Sequence, residues 1–275
     1  MLLFPNAKIN LGLRVLRKRP DGYRDISTVM FPVKGLHDAL EFVPAPPGAQ
    51  DSFSLSGNKV PGAPADNICL KALALLRRER DIPPLDIYLH KAIPAGAGLG
   101  GGSADGTFFL KGLNEAFSLG CSDGELEAKA AELGSDCAFF VKNIPAKSEG
   151  RGEILSPLDV PLSGMHLAVA RKDFHIATGP AYDKIRPDSS GPEPAEIVTK
   201  IPVSGWKDHL VNDFEAAAFS EFPELRAIRD AFYAQGALYA AMTGSGSAVF
   251  GIFAEAPEGR NPVLAPVDFY RVSTL

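Results

Sequence analysis

The sequence predicts an α+β fold. Ile9, Leu11, Leu13 and Val15, and again Leu85, Ile87 and Leu89, alternate with more polar neighbours, the period-two pattern of half-buried strands. Around 68–76 and 103–117 apolar residues recur at helical spacing instead. Strands and helices mix along the chain without the strict alternation that builds a parallel β/α sheet.

Taken in order, the first strand spans 9–15 and sets Lys8, Asn10 and Arg14 in a row on its second face. Strand-like segments follow at 28–33 and 38–43. Pro44-Ala45-Pro46-Pro47-Gly48 and Pro61-Gly62-Ala63-Pro64 are loops, because clustered prolines and glycines interrupt regular structure. Asp66-Asn67 caps a helix to about residue 80, with Ile68, Leu70, Leu73, Leu75 and Leu76 on its apolar side. A strand over 85–91 leads through a glycine-rich loop into a helix over 103–117, with Ala104, Phe108 and Leu113 turned inward. Another helix covers 125–133 and is closed by Gly134. Residues 151–162 form a connection, and Leu167-Ala168-Val169-Ala170 a buried strand that opens a second half. A surface loop at 187–194, a helix at 224–235 and a glycine turn at 242–247 running into a strand to 253 complete the chain.

Composition narrows the function classes. A chain of 275 residues holds one large domain or two modest ones, and 45% hydrophobic with 22% charged residues is ordinary for a folded globular protein. A net charge of −5 argues against a general nucleic-acid surface. Cys69, Cys121 and Cys137 are scattered and odd in number, so reduced thiols are expected rather than a disulfide framework or a zinc site. No apolar run approaches membrane-spanning length, and Met1-Leu2-Leu3-Phe4-Pro5 is too short for a signal peptide. The expectation is a soluble cytoplasmic protein with no nucleic acid, membrane or evident protein partner.

The run Pro94-Ala95-Gly96-Ala97-Gly98-Leu99-Gly100-Gly101-Gly102-Ser103-Ala104-Asp105 is the most informative stretch. Five glycines between 96 and 102 let backbone N–H groups approach a ligand that a Cβ would hold off. Strand, glycine loop and helix N-terminus together cradle phosphate, since unpaired N–H groups and the positive end of the helix dipole face the anion. Two familiar motifs fail. Gly96 and Gly101 have Walker A spacing, but Gly102-Ser103 follows where that motif needs a lysine. Gly96, Gly98 and Gly101 match the dinucleotide fingerprint, yet the acidic strand end it requires about 20 residues on falls in the turn Leu119-Gly120-Cys121-Ser122-Asp123-Gly124. Another class of phosphate site is required.

Three separated segments together resemble the GHMP kinases, a family named for galactokinase, homoserine kinase, mevalonate kinase and phosphomevalonate kinase. They are Ala7-Lys8-Ile9-Asn10-Leu11, the glycine loop through Ser103-Ala104, and Thr243-Gly244-Ser245-Gly246. Arg19-Pro20-Asp21-Gly22-Tyr23 and Leu133-Gly134-Ser135-Asp136 resemble the branch that phosphorylates the 2-hydroxyl of a cytidine diphosphate-linked methylerythritol, on the non-mevalonate route to isoprenoids. The resemblance runs from Ala7 to Phe253 and implies a two-domain fold, N-terminal half 1–155 and C-terminal half 156–275, with nucleotide and substrate in the cleft between them.

Carried over by position, Asp136 matches the catalytic aspartate and Lys8 the lysine beside it. A carboxylate accepts the proton of the attacking alcohol, and an ammonium keeps it ionised and neutralises charge on the transferred group. From residue chemistry alone, Asp136 reads as a helix cap and Lys8 as a solvated strand residue; the resemblance decides for catalysis. Pro94, Gly96, Gly98, Leu99, Gly100, Gly101, Gly102 and Ser103 are implied to hold ATP. Asn67 and Lys91 match positions near the adenosine, with a helix cap and a surface charge as the other readings. For the acceptor, Tyr23 and Tyr182 match two rings that sandwich the cytosine, and Asn10 and Thr178 match hydrogen-bonding positions. Tyr182 reads alternatively as a partly buried tyrosine. After Asp-Gly-Tyr the family usually carries histidine, whereas this chain has Arg24, which has no acceptor and does not titrate near neutral pH. Magnesium accompanies ATP in such chemistry, with Ser103 placed to reach it, but no dedicated metal ligand is assigned. Another acceptor in the same family, homoserine or mevalonate, and a non-catalytic nucleotide sensor are the competing functions. Tyr23 argues against the first, and the retained Lys8 and Asp136 argue against the second.

Overall fold

In a computed structural model, which describes residues 1–173, 176–259, 263–264 and 267–275, the chain opens with β1 (Leu2–Leu3), β2 (Asn6–Lys18), β3 (Arg24–His37), β4 (Ala39–Pro44) and β5 (Ser52–Gly57). Helix α1 (Ile68–Arg77), β6 (Leu85–Lys91), α2 (Gly101–Ala116), α3 (Asp123–Leu133) and α4 (Phe139–Lys142) follow. Then come β7 (Ala146–Gly150), β8 (Ile154–Pro157), β9 (His166–Arg171), α5 (Thr178–Asp183), α6 (Pro194–Lys200), α7 (Glu215–Glu221) and α8 (Pro223–Ala234). Strands β10 (Tyr239–Met242), β11 (Val249–Phe253) and β12 (Phe269–Thr274) end the order. The α+β expectation is met.

These elements sort into two units by contact: residues 1–7, 36–95 and 100–143 in the first, and 8–35, 96–99 and 144–275 in the second. In the first unit a sheet of order β1-β4-β6-β5 carries helices on one face. Strands β5 and β6 are parallel, joined through α1, while the other pairs are antiparallel. Along β6, Leu85, Ile87, Leu89 and Lys91 are buried and the residues between them more exposed, so the predicted alternation holds. The core joins Leu40, Phe42, Ile87 and Leu89 of the sheet to Leu73 and Leu76 of α1 and Phe109, Leu110 and Leu113 of α2. Phe42 and Phe109 meet edge to face, centroids 5.2 Å apart. Phe108, expected inside, is only half-buried, and Lys111 lies 5.5 Å over its ring.

The second unit holds two further sheets, β2-β3-β7-β8 and β10-β11-β9-β12. Leu13, Val15 and Ile26 share one core with Ala168, Ala170, Met242 and Val249 and with Ile228 and Phe232 of α8. Strand β2 is buried on both faces from Asn6 to Leu13, which takes Lys8 and Asn10 out of solvent.

Several boundaries differ from expectation for physical reasons. β5 is the serine-rich Ser-Phe-Ser-Leu-Ser-Gly at a sheet edge, mostly exposed, so it carries little apolar alternation. The expected connection at 151–162 contains β8, a short exposed edge strand on β7. Gly134 does close α3, its N–H donating to the Ala130 carbonyl at 3.2 Å, but with an extended φ of 173° rather than a left-handed turn. The start of α3 is fixed by Ser122 and Glu125, which form a reciprocal capping box.

Candidate active site

In the second unit the middle of the glycine loop is held by backbone partners. The Lys8 N–H donates to the Leu99 carbonyl at 2.9 Å, and the Ala248 N–H to the Ala97 carbonyl at 3.1 Å. The Thr243 hydroxyl donates to the Gly98 carbonyl at 3.1 Å and accepts the Asn10 N–H at 3.1 Å. Gly98 has φ +77°, and a Cβ there would lie 2.0 Å from the Thr243 carbonyl oxygen. The Thr243–Gly246 turn is thus the seat of residues 96–99. That turn is itself braced by buried Asn212, whose amide donates to the carbonyls of Met242 (2.8 Å) and Gly244 (2.9 Å) while its oxygen accepts the Phe214 N–H (3.0 Å). Sequence reading gave Thr243 no role beyond its motif and missed Asn212 altogether.

Asn212→Ala would strand two buried carbonyls, a cost of about 1–3 kcal/mol for each group left unsatisfied. Urea unfolding is expected to show that loss without a change in slope.

Beside this seat, Lys8 is buried on β2, and its ammonium donates to the Asn10 Oδ1 at 2.6 Å. The Asn10 amide donates onward to Thr28 Oγ1 at 3.1 Å, and the Thr28 hydroxyl donates to the Gly12 carbonyl. A solvated strand residue is therefore not what Lys8 is. Its place in a buried polar row fits a positioned cation.

In the first unit the loop's other parts meet α2. Gly100, left-handed at φ 71°, is the N-cap, and the Ala104 N–H reaches its carbonyl at 2.9 Å. No side chain caps this end, so the first-turn N–H groups stay available to an anion. Gly102 is exposed and meets nothing within 4 Å, Ser103 is half-buried, and Pro94 is buried behind them. The turn between α3 and α4 is pinned onto α2 through Cys137: its carbonyl accepts the Thr107 hydroxyl at 2.8 Å, and its thiol hydrogen-bonds Ser103. Burial pushes that thiol up to about 11, so it stays protonated, a structural group rather than a nucleophile. Asp136 stands next to it, half-buried, on the turn that Ser103 and Thr107 hold. The helix-cap reading of Asp136 fails, because α4 starts at Phe139 without a side-chain cap.

Asn67 is the N-cap of α1, accepting the Cys69 N–H at 2.9 Å. Lys91 is not a surface charge: it is buried, and its ammonium is ion-paired with Asp38 and Asp105. That ammonium is committed inside the unit, so the surface-charge reading of Lys91 does not hold. The two catalytic candidates fall in different units, Lys8 in the second and Asp136 in the first.

The acceptor candidates all belong to the second unit. Tyr23 is 54% exposed, with the Arg151 guanidinium 4.8 Å from its ring centroid. Tyr182 sits on α5, half-buried, its ring edge-on to Phe214 at 4.8 Å. Thr178 is exposed at the start of α5, and its hydroxyl is 3.1 Å from that of Ser245 in the glycine turn. Arg24 donates to the Gly22 carbonyl at 3.0 Å and to Asp183 of α5 at 3.2 Å. Its guanidinium ties the Asp21–Tyr23 turn to the helix bearing Tyr182, a fixture that a histidine in its place would not reproduce. Because Asp183 is 76% exposed, the pair contributes well under about 1 kcal/mol. Arg24→Ala should fold normally and raise acceptor KM with little loss of kcat; a kcat collapse at constant KM contradicts this.

Residues 67–143 match the GHMP kinases N terminal domain and residues 202–264 the GHMP kinases C terminal domain. The chain is 49% identical over 255 residues, 92% of each chain, to a Bacteroides fragilis protein named 4-diphosphocytidyl-2-C-methyl-D-erythritol kinase. It is 47% identical to a protein of the same name from Bacteroides thetaiotaomicron, over 95% of this chain and 94% of that one. A crystal structure of 4-(cytidine 5'-diphospho)-2C-methyl-D-erythritol kinase superposes with a TM-score of 0.74 at 32% identity, covering 92% of this chain and 90% of the other. Homoserine kinase from Cytophaga hutchinsonii, TM-score 0.69 at 15% identity over 98% and 95% of the two chains, shares the fold. Glycine loop, braced Thr243 turn and sequence likeness converge: the chain belongs to the GHMP kinase family, in its 4-diphosphocytidyl-2-C-methyl-D-erythritol kinase branch.

Proposed function

We propose that this kinase transfers the γ-phosphoryl group of ATP to the 2-hydroxyl of 4-diphosphocytidyl-2-C-methyl-D-erythritol. The observation that carries the reading is the docking of the Asp136 turn, through Cys137, on the uncapped first turn of α2. The turn that bears this carboxylate is thereby held against the N-terminal part of α2. In this reading Asp136 takes the proton of the acceptor hydroxyl as its oxygen attacks the γ-phosphorus and the bond to the β-phosphate oxygen breaks, releasing ADP. Lys8, oriented by Asn10, offsets charge on the transferred group. The N–H groups of 96–103 hold the other phosphates. Tyr23 and Tyr182 supply ring faces for the cytosine, each stacking contact contributing about 1–3 kcal/mol, and Asn10 and Thr178 supply polar contacts.

Magnesium fits the donor chemistry. The Ser103 hydroxyl on the first turn of α2 is a hard oxygen ligand, and among the described residues no three His, Cys, Asp or Glu side chains form a metal-holding group. Ser103 would hold the ion together with phosphate oxygens and water, and the ion would neutralise phosphate charge. Family halves at 1–155 and 156–275 remain part of the proposal; the two domain matches fall on either side of that boundary. So does a cytoplasmic setting, supported by three free, buried cysteines. No helix among the described residues is long and apolar enough to cross a membrane. Phosphorus NMR of the product tests the regiochemistry: a monoester on carbon 2 is expected, and phosphate on another hydroxyl overturns it.

A further inference from the structure

Behind the glycine loop lies a group of charges that phosphoryl transfer itself does not use. Asp38, Lys91 and Asp105 are 1%, 4% and 2% exposed. The Lys91 ammonium pairs with Asp38 Oδ2 and with Asp105 Oδ2, the latter at 2.5 Å. Buried ion pairs are poor stabilisers, because desolvation cancels most of the attraction. Their position is therefore the informative part. Asp38 Oδ1 accepts the N–H groups of Ala92 (2.6 Å) and Ile93 (2.8 Å), the two residues before Pro94. Asp105 lies near the start of α2, just beyond the loop. Gly101 completes the junction, since a Cβ there would stand 2.8 Å from Ile93 Cγ2 and 3.3 Å from Lys91 Nζ. One ammonium thus ties the residues that lead into the loop to the helix that leaves it.

We propose that Asp38, Lys91 and Asp105 are positioning residues for ATP: a buried clamp that fixes both ends of the glycine-rich loop. The proposal rests on the reading of that loop as the ATP site. Lys91 from β6 reaches Asp38, from the segment before β4, and Asp105 on α2, so one ammonium joins three parts of the unit.

The test is ADP binding by calorimetry, with steady-state KM for ATP and for the acceptor, on parent, Lys91→Met, Asp38→Asn and Asp105→Asn proteins. Lys91→Met and Asp38→Asn should weaken ADP binding and raise KM for ATP about 10-fold to 100-fold, while acceptor KM moves less than about twofold. Asp105→Asn, which removes one of the two carboxylates that hold the ammonium, should weaken ADP binding in the same direction. Lys91→Met leaves two buried carboxylates unpaired, so the isosteric Asn variants decide the matter if it does not fold. Folded Asn variants with parental ADP affinity overturn the clamp. So does a parallel change in both KM values. Absence of acceptor turnover in the parent would count against the proposed function and leave ADP binding to judge the clamp.

Discussion

Asp136→Asn is expected to bind ADP as the parent does and to turn over at least about 10²-fold more slowly. The substitution keeps shape and hydrogen-bonding reach but cannot take the hydroxyl proton. The contacts of Thr107 and Ser103 with Cys137, which pin the turn, are kept in the variant, and thermal denaturation is expected to show it folded. Rapid-quench measurement of the chemical step separates this from slow product release. A folded Asp136→Asn enzyme with near-parental turnover removes Asp136 as the base.

Gly98→Ala is expected to abolish nucleotide binding at millimolar ADP and to lower Tm. The left-handed backbone at φ +77° alone costs an alanine about 1–2 kcal/mol. The larger effect is steric. The new methyl would fall 2.0 Å from the Thr243 carbonyl oxygen and 2.9 Å from its carbon, backbone atoms that no rotamer change can move. Relief requires residues 96–99 to leave the Thr243 turn, which gives up the Thr243 hydrogen bond and displaces the loop, enough for about a 10²-fold loss per ångström of misplacement. Gly102→Ala is the contrast: nothing lies within 4 Å of its Cβ position, so stability should hold or rise by a fraction of a kcal/mol. Calorimetry with ADP and thermal denaturation of both variants check the pair. Parental ADP affinity in Gly98→Ala would contradict the role of the Thr243 seat.

Much of this was legible in the chain. Period-two alternation marked β6, and the glycine run marked the loop between that strand and the uncapped start of α2. Local pattern did not report what long-range packing decides. Lys91 sits on the buried parity of β6, in line with Leu85, Ile87 and Leu89, yet only the tertiary partners Asp38 and Asp105 make a charge tenable there. Arg24 stands where the family usually carries histidine, and no local pattern pointed to Asp183, 159 residues later, as its partner. Asn212 belongs to no motif; it matters because two carbonyls of the Thr243 turn happen to end there. Edge strands β5 and β8 were weak in sequence because their residues are largely solvent-facing.

The most direct measurement is ADP release from ATP and Mg²⁺ by the purified protein, with 4-diphosphocytidyl-2-C-methyl-D-erythritol, homoserine, mevalonate or no acceptor. Fast turnover on the cytidine compound alone is the predicted result. Turnover confined to another acceptor, or ATP binding with no acceptor phosphorylated, would contradict it.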